Sequence, residues 1–224
     1  MNSTKIKLTA LAVITAAVSI LSTAAIAQDA PAAVEVTPAA AQEAEYTAIT
    51  KCAWCHGPQG HSISPIYPAL AGQKSWYILE QLQLFKAQTR GDPYARGIMW
   101  GMASQLTDTQ MAALAGYFSK QTPFASAPAP FTGSSTAGLV TQGKSIYNDG
   151  VAATGVAPCS ACHQADAGGS DQFPRLAGQH ASYLVKQLKA FHGGSREQVV
   201  MNGVAAPLRE PEMTAVSLFL ESIH

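Results

Sequence analysis

Two stretches decide how this chain folds: Cys52-Ala53-Trp54-Cys55-His56 and Cys159-Ser160-Ala161-Cys162-His163. All four cysteines of the 224-residue sequence lie in these pentapeptides. The same order of elements runs outward from each. The first leads to Tyr67-Pro68-Ala69-Leu70-Ala71-Gly72-Gln73, then Trp76-Tyr77-Ile78-Leu79-Glu80-Gln81-Leu82 and Phe85. The second leads to Phe173-Pro174-Arg175-Leu176-Ala177-Gly178-Gln179, then Ser182-Tyr183-Leu184-Val185-Lys186-Gln187-Leu188 and Phe191. Pro68/Pro174, Tyr77/Tyr183, Gln81/Gln187 and Phe85/Phe191 are all 106 apart. Met99/Met201 and Leu106/Leu208 are 102 apart, because the first copy carries four extra residues around Gly91 to Arg96. The chain is an internal duplication, and a motif found in both copies is less open to chance.

The apolar periodicity is helical. Ile78, Leu82 and Phe85 fall at i, i+4 and i+7, as do Leu184, Leu188 and Phe191, predicting a central amphipathic helix in each copy. Thr107-Asp108-Thr109-Gln110 has the form of a capping box opening a helix with Met111, Leu114 and Phe118 inward. Its counterpart should begin near Pro211 and present Met213, Val216 and Leu220. Short helices are expected before each Cys motif, around Glu45 to Lys51 and Gly143 to Asn148. Alternating apolar runs separated by hairpin turns are missing, so the fold class is all-α.

Residues 1–27 read as a cleaved signal peptide. Lys5 and Lys7 precede the apolar stretch Leu8 to Leu21, and Ala25-Ile26-Ala27 offers the small-x-small cleavage pattern. The apolar run is short for an uncleaved anchor helix. Residues 28–43 are an Ala/Pro-rich flexible segment, 44–122 a first domain, 123–140 a linker and 141–224 a second domain. Each domain has about 80 residues, small for an independent core, so something should help each of them fold. The charge balance of 14 Lys+Arg against 14 Asp+Glu excludes a polycation that binds nucleic acid by neutralising phosphates. Charged residues make up only 12%, yet mean hydropathy is only +0.07; Ala, Gly, Pro and small polar residues fill the deficit.

The motif C-x-x-C-H suits one chemistry well. Haem carries two neighbouring vinyl groups, and Cys residues three apart can each add across one as a thioether while the adjacent His faces the iron. Cys52, Cys55, Cys159 and Cys162 are therefore read as covalent attachment points, and His56 and His163 as iron ligands. A thioredoxin-like C-x-x-C would need a βαβ setting. A zinc site would need the two motifs to converge across a proline-rich linker. A disulfide within each motif would leave both histidines unexplained. Covalent haem also answers the small-core difficulty, since each porphyrin offers an apolar plate to wrap.

On the far side of each iron, Met99 and Met201 occupy corresponding positions, each seven residues before a Leu leading into the last helix. A thioether closes the coordination and raises the potential, which suits a carrier; an open iron would bind oxygen or peroxide. Met102 competes with Met99 but faces Val204 in the second copy, so Met99 is favoured. Met111 and Met213 belong to helix faces. His61, His180, His192 and His224 have no equivalents in the opposite copy and are read as structural. Pro68 and Pro174 follow their histidines by 12 and 11 residues, and their carbonyls are candidates to accept the imidazole N–H.

With these motifs the chain resembles class I cytochromes c, and more closely the dihaem cytochrome c4 family. The likeness covers about residues 44 to 224 and is strongest in P-C-S-A-C-H, F-P-R-L-A-G-Q-H-A-S-Y-L-V-K-Q-L and M-N-G-V-A-A-P-L of the second half. It departs in the first half, where Glu43-Ala44-Glu45-Tyr46 replaces the small residues usual in the opening helix and Trp54 sits between the Cys pair. The resemblance implies two tandem cytochrome c-like domains related by a pseudo-twofold, each wrapped around a covalently bound haem c. It further implies a periplasmic electron carrier, not an enzyme, working between a donor such as the cytochrome bc1 complex and a terminal oxidase. The alternative is the electron-acceptor subunit of a periplasmic dehydrogenase of sulfide- or alcohol-oxidising type. A peroxidase or gas sensor with one open iron is a third reading. The expected partners are redox proteins, with peripheral membrane association compatible and no nucleic acid.

Overall fold

A computed structural model describes residues 35–123 and 134–223. The signal-peptide reading of residues 1–27, the first part of the 28–43 segment, the middle of the 123–140 linker and His224 lie outside the described residues.

The first half opens with helix α1 (Pro38–Thr47), whose Thr37 side chain accepts the Ala40 N–H at 3.2 Å. This helix starts inside the stretch expected to be a flexible segment. A threonine cap, a proline in the first turn and a run of alanines are helix-starting chemistry that an Ala/Pro composition conceals. A π-helical turn (Ala48–Cys52) and α2 (Ala53–His56) continue the run and deliver Cys52, Cys55 and His56 at its end. Gly57 then turns the chain at φ 74°, where a Cβ would lie 2.1 Å from the His61 carbonyl oxygen. Helix α3 (Ser75–Lys86) buries Ile78, Gln81 and Phe85. After a second π-helical turn (Ala95–Met99) come α4 (Trp100–Ser104) and α5 (Asp108–Ser119). The capping box of α5 forms as expected: Gln110 N–H donates to Thr107 Oγ1 at 3.2 Å, and Thr107 N–H to Gln110 Oε1 at 2.9 Å. Met111, Leu114 and Phe118 are buried.

The second half repeats this plan with α6 (Ser134–Asp149), α7 (Ser160–His163), α8 (Ala181–His192), α9 (Val199–Ala205) and α10 (Glu210–Glu221). Helix α6 is longer than the expected Gly143–Asn148 piece and starts within the 123–140 stretch. Leu139 explains the extension, since it packs on the core made by Ile146, Tyr147, Val216 and Leu220. Pro211 lies in the first turn of α10, with Met213, Val216 and Leu220 buried. Among the described residues the only extended pairing is an isolated bridge between Val151 and Val156, so the all-α expectation agrees with the structure. After α7, Gln164 adopts the conformation that Gly57 has in the first half, at φ 69° and ψ 162°. Its carbonyl accepts the Tyr147 hydroxyl at 2.5 Å, which helps hold this unfavourable backbone in place.

In each half the opening helix packs against the closing one, α1 on α5 and α6 on α10. These crossings need small residues. Gly143 of α6 approaches α10 so closely that a Cβ would sit 2.0 Å from the Ala215 carbonyl oxygen. In the first half Ala44 and Ala48 take this role, buried with Leu114 and Phe118, while Glu43, Glu45 and Tyr46 point to solvent. Of the departing residues, Glu43, Glu45 and Tyr46 thus fall on the exposed side, where Glu43 Oε1 accepts the Gln110 Nε2–H at 2.6 Å, and Ala44 keeps the small residue at the crossing. Among the described residues no helix is long and apolar enough to cross a membrane.

The crossing yields a matched test. Gly143→Ala should lower the stability of the holoprotein by about 1–3 kcal/mol through forced separation of α6 and α10. Gly138→Ala, on the same helix with open space around it, should be neutral or stabilising by up to about 1 kcal/mol. Denaturant midpoints of the two variants check both signs.

Candidate functional site

The two Cys motifs present similar geometry. The His56 Nδ1–H donates to the Pro68 carbonyl at 2.8 Å, and the His163 Nδ1–H to the Pro174 carbonyl at 2.9 Å. Because a carbonyl can only accept, these bonds fix the tautomer and leave Nε2 of each ring bare. Both imidazoles are buried. Burial pushes their pKa values below the ordinary histidine value, against the opposing effect of the carbonyl bond, so each ring is a neutral donor. Tyr67 stands edge-on to the His56 ring and Phe173 to the His163 ring, at centroid distances of 6.2 and 5.9 Å.

Cys52 and Cys55 lie about one helical turn apart beside His56, and Cys159 and Cys162 do the same beside His163. None of the four forms a disulfide. Burial pushes Cys52 and Cys159 up to about 11 each. A dithiol oxidoreductase needs a depressed thiol pKa, so these motifs have the wrong electrostatics for that chemistry. Among the described residues no group of three or more His, Cys, Asp or Glu side chains converges on a common point, which disfavours the zinc alternative. A bare Nε2 on a neutral, oriented, buried ring next to two half-buried cysteines is a donor set that fits haem c.

Met99 ends the second π-helical turn and packs, half-buried, against Phe85, Ala95 and Ala103. Met102 lies one turn on in α4 and is 38% exposed. Met99 is thus the more buried of the two. Met201 is half-buried in α9, with its N–H held by Gln198 Oε1 at 2.7 Å. Met111 and Met213 are core residues.

The remaining described histidines bind backbone carbonyls: His61 to Thr122 at 2.9 Å, His180 to Ser62 at 2.7 Å and His192 to Ala205 at 3.0 Å. The His180 bond joins the two halves, a role its sequence setting did not disclose.

Sequence reasoning also missed two arginines. Arg90 and Arg196, again 106 apart, are buried together where the halves meet. Arg90 Nη1 donates to Gln81 Oε1 at 2.7 Å and Nη2 to Gln187 Oε1 at 2.8 Å. Arg196 mirrors it, with Nη1 donating to Gln187 Oε1 at 2.6 Å and Nη2 to Gln81 Oε1 at 2.9 Å. The guanidinium groups also lie over the Phe85 and Phe191 rings at 4.7 and 4.5 Å. Arg90 Nε pairs with buried Asp92 at 2.8 Å, whereas Arg196 Nη2 reaches the Tyr77 hydroxyl at 2.8 Å. Burial pushes the Tyr77 phenol up, but the Arg196 and Arg90 charges outweigh it and leave the phenol below its ordinary value. The 106-residue spacing of the arginines is present in the sequence and is the signal that would have found them.

Comparison with known proteins agrees with this geometry. The cytochrome c family pattern matches residues 41–122 and again 140–223. The chain is 40% identical over 191 residues to cytochrome c4 of Thiocapsa roseopersicina, covering 81% of this chain and 92% of that one. It is 34% identical over 174 residues to a thiosulfate dehydrogenase electron acceptor of Thiomonas intermedia, covering 75% of this chain and 76% of that protein. The crystal structure of reduced recombinant cytochrome c4 from Pseudomonas stutzeri superposes with a TM-score of 0.70 at 34% identity, covering 82% and 98% of the two chains. Duplicated helical halves, paired C-x-x-C-H motifs and oriented neutral imidazoles thus lead to one conclusion: the chain belongs to the cytochrome c family and, within it, to the dihaem cytochromes c4, electron-transfer proteins that carry two covalently bound haem c groups.

Proposed function

We propose that Cys52 and Cys55 attach the first haem and Cys159 and Cys162 the second, that His56 and Met99 ligate the first iron, and that His163 and Met201 ligate the second. On this reading the protein is a periplasmic carrier that takes electrons from a respiratory donor such as the cytochrome bc1 complex and passes them to a terminal oxidase. The observation that supports it most directly is the pair of buried Nδ1–H to proline carbonyl bonds, which commits each ring to presenting Nε2. Each haem, when bound, supplies a one-electron couple. The chain holds each imidazole neutral, oriented and buried, and Met99 and Met201 would supply a soft thioether as the second iron donor. A closed coordination sphere of this kind suits a carrier and leaves no position for peroxide or oxygen.

One observation favours a second reading, acceptance of electrons from a dehydrogenase. Tyr46, Ile49 and Trp54 are exposed on the helical run that carries the first Cys pair; Trp54 is 86% exposed and its indole N–H is held by the Thr50 carbonyl at 3.0 Å. An exposed aromatic with a fixed rotamer beside an attachment site suits contact with a partner protein. The likeness to a thiosulfate dehydrogenase electron acceptor supports the same reading.

Three outcomes test these assignments. Met99→Ala and Met201→Ala should each lower the potential of one haem and make the reduced protein bind carbon monoxide, whereas Met102→Ala should leave potentials and spectra unchanged; redox titration with absorbance and magnetic circular dichroism reads all three. The pyridine haemochrome of the native protein should give two haems per chain. Trp54→Ala should slow electron uptake from a thiosulfate-oxidising dehydrogenase in stopped flow and leave reduction by a small-molecule reductant untouched if the second reading holds; unaltered uptake favours the oxidase-linked carrier.

A further inference from the structure

The glutamine ending each P-x-L-A-G-Q stretch crosses to the other half. Gln179 Oε1 accepts the Ala69 N–H at 3.0 Å while its Nε2 donates to the Ala69 carbonyl at 3.0 Å. Gln73 does the same to Arg175, at 2.9 and 2.8 Å. Both glutamines are buried, and each Oε1 also accepts the N–H of its own next residue, Lys74 at 2.9 Å or His180 at 3.1 Å, which fixes the amide orientation.

The peptide units they grip matter. The Ala69 N–H belongs to the same peptide as the Pro68 carbonyl, which accepts the His56 Nδ1–H. The Arg175 N–H belongs to the same peptide as the Pro174 carbonyl, which accepts the His163 Nδ1–H. Two short relays result, each running from an imidazole through one peptide group to a glutamine of the opposite half. Donating the N–H polarises a peptide and makes its carbonyl a stronger acceptor, the more so in a buried setting. A stronger acceptor at Nδ1 makes the ring a more basic iron ligand.

From this geometry we infer that Gln179 and Gln73 are crossed positioning residues: each half sets the basicity of the other half's iron-binding histidine, through the peptide that orients it. The inference rests on the ligand assignment proposed above. It makes the first haem's potential a property of the second half, and the reverse.

The test uses the full-length holoprotein. Native spectra showing two His–Met haems check the ligand assignment by themselves, and the glutamine variants check only the crossing. In Gln179→Leu the peptide loses its outer acceptor, the Pro68 carbonyl weakens, and the oxidised state loses stabilisation. The potential of the haem beside Tyr67 should therefore rise, by less than tenfold in the electron-exchange equilibrium or under about 59 mV for one electron. The haem beside Phe173 should not move. Gln73→Leu should give the opposite pattern. Hyperfine-shifted proton resonances, assigned through contacts with Tyr67 or Phe173, identify which haem responds. Gln179→Glu keeps an acceptor for the Ala69 N–H and should not raise the potential. Trp76→Phe removes an inter-half bond to the Ser170 carbonyl at 3.4 Å without touching either relay, and should shift neither haem. The inference is overturned if a leucine variant moves the haem of its own half, moves both equally or moves neither, or if Gln179→Glu acts like Gln179→Leu.

Discussion

A buried imidazole whose Nδ1 proton is committed to a carbonyl has one nitrogen left to offer, and that constraint organises both halves of this molecule. It requires a proline-containing loop to return beneath the histidine. The return is made possible by the reversal at Gly57 or Gln164 and is sealed by bonds such as Gly72 N–H to the Phe118 carbonyl at 3.0 Å and Gly178 N–H to the Leu220 carbonyl at 2.9 Å. The last bonds tie the proline loop to the closing helix, which packs on the opening helix that leads to the cysteines. Each half is thus a closed circuit around one ring nitrogen. Little apolar core is left over in a unit of this size, and the covalent porphyrin completes it.

Most of this plan is legible in the amino-acid sequence. The central helices, the Thr107–Gln110 capping box and the Pro211 start can be read there because each depends on residues close along the chain. The helix starts at Pro38 and Ser134 escape a reading by composition, because Ala/Pro and Ser/Thr/Gly content hides the cap at Thr37 and the packing of Leu139. Met99 ranks above Met102 from the repeat, but only the turn geometry shows which of the two faces the core. The inter-half contacts are the least legible. Gln73, Gln81, Gln179 and Gln187 are visible as repeated letters, yet each has a partner about a hundred residues away, and no local pattern states that a polar side chain will be buried against the opposite half.

The duplication is not exact where charge is concerned. Two guanidinium groups are buried at the junction, but among the described residues the carboxylate pair falls on Arg90, and its partner Asp92 lies in the stretch where the first half carries extra residues. Arg196 is satisfied by amide oxygens and a phenol. Removing charged groups from water is costly unless every donor is met, and here the crossed Gln81 and Gln187 oxygens each serve both arginines. The charge at the junction is therefore unevenly distributed between the halves, and the two haem environments differ electrostatically despite their common plan.

The amide pairs at Ala69 and Arg175 address main-chain atoms, and every residue except proline offers the same two. Positions 69 and 175 already carry a methyl group in one copy and a guanidinium in the other without any change in the pairing. After a gene doubles, such a contact places almost no demand on the side chains that follow. The copies were therefore free to diverge in surface and charge while remaining locked to one another.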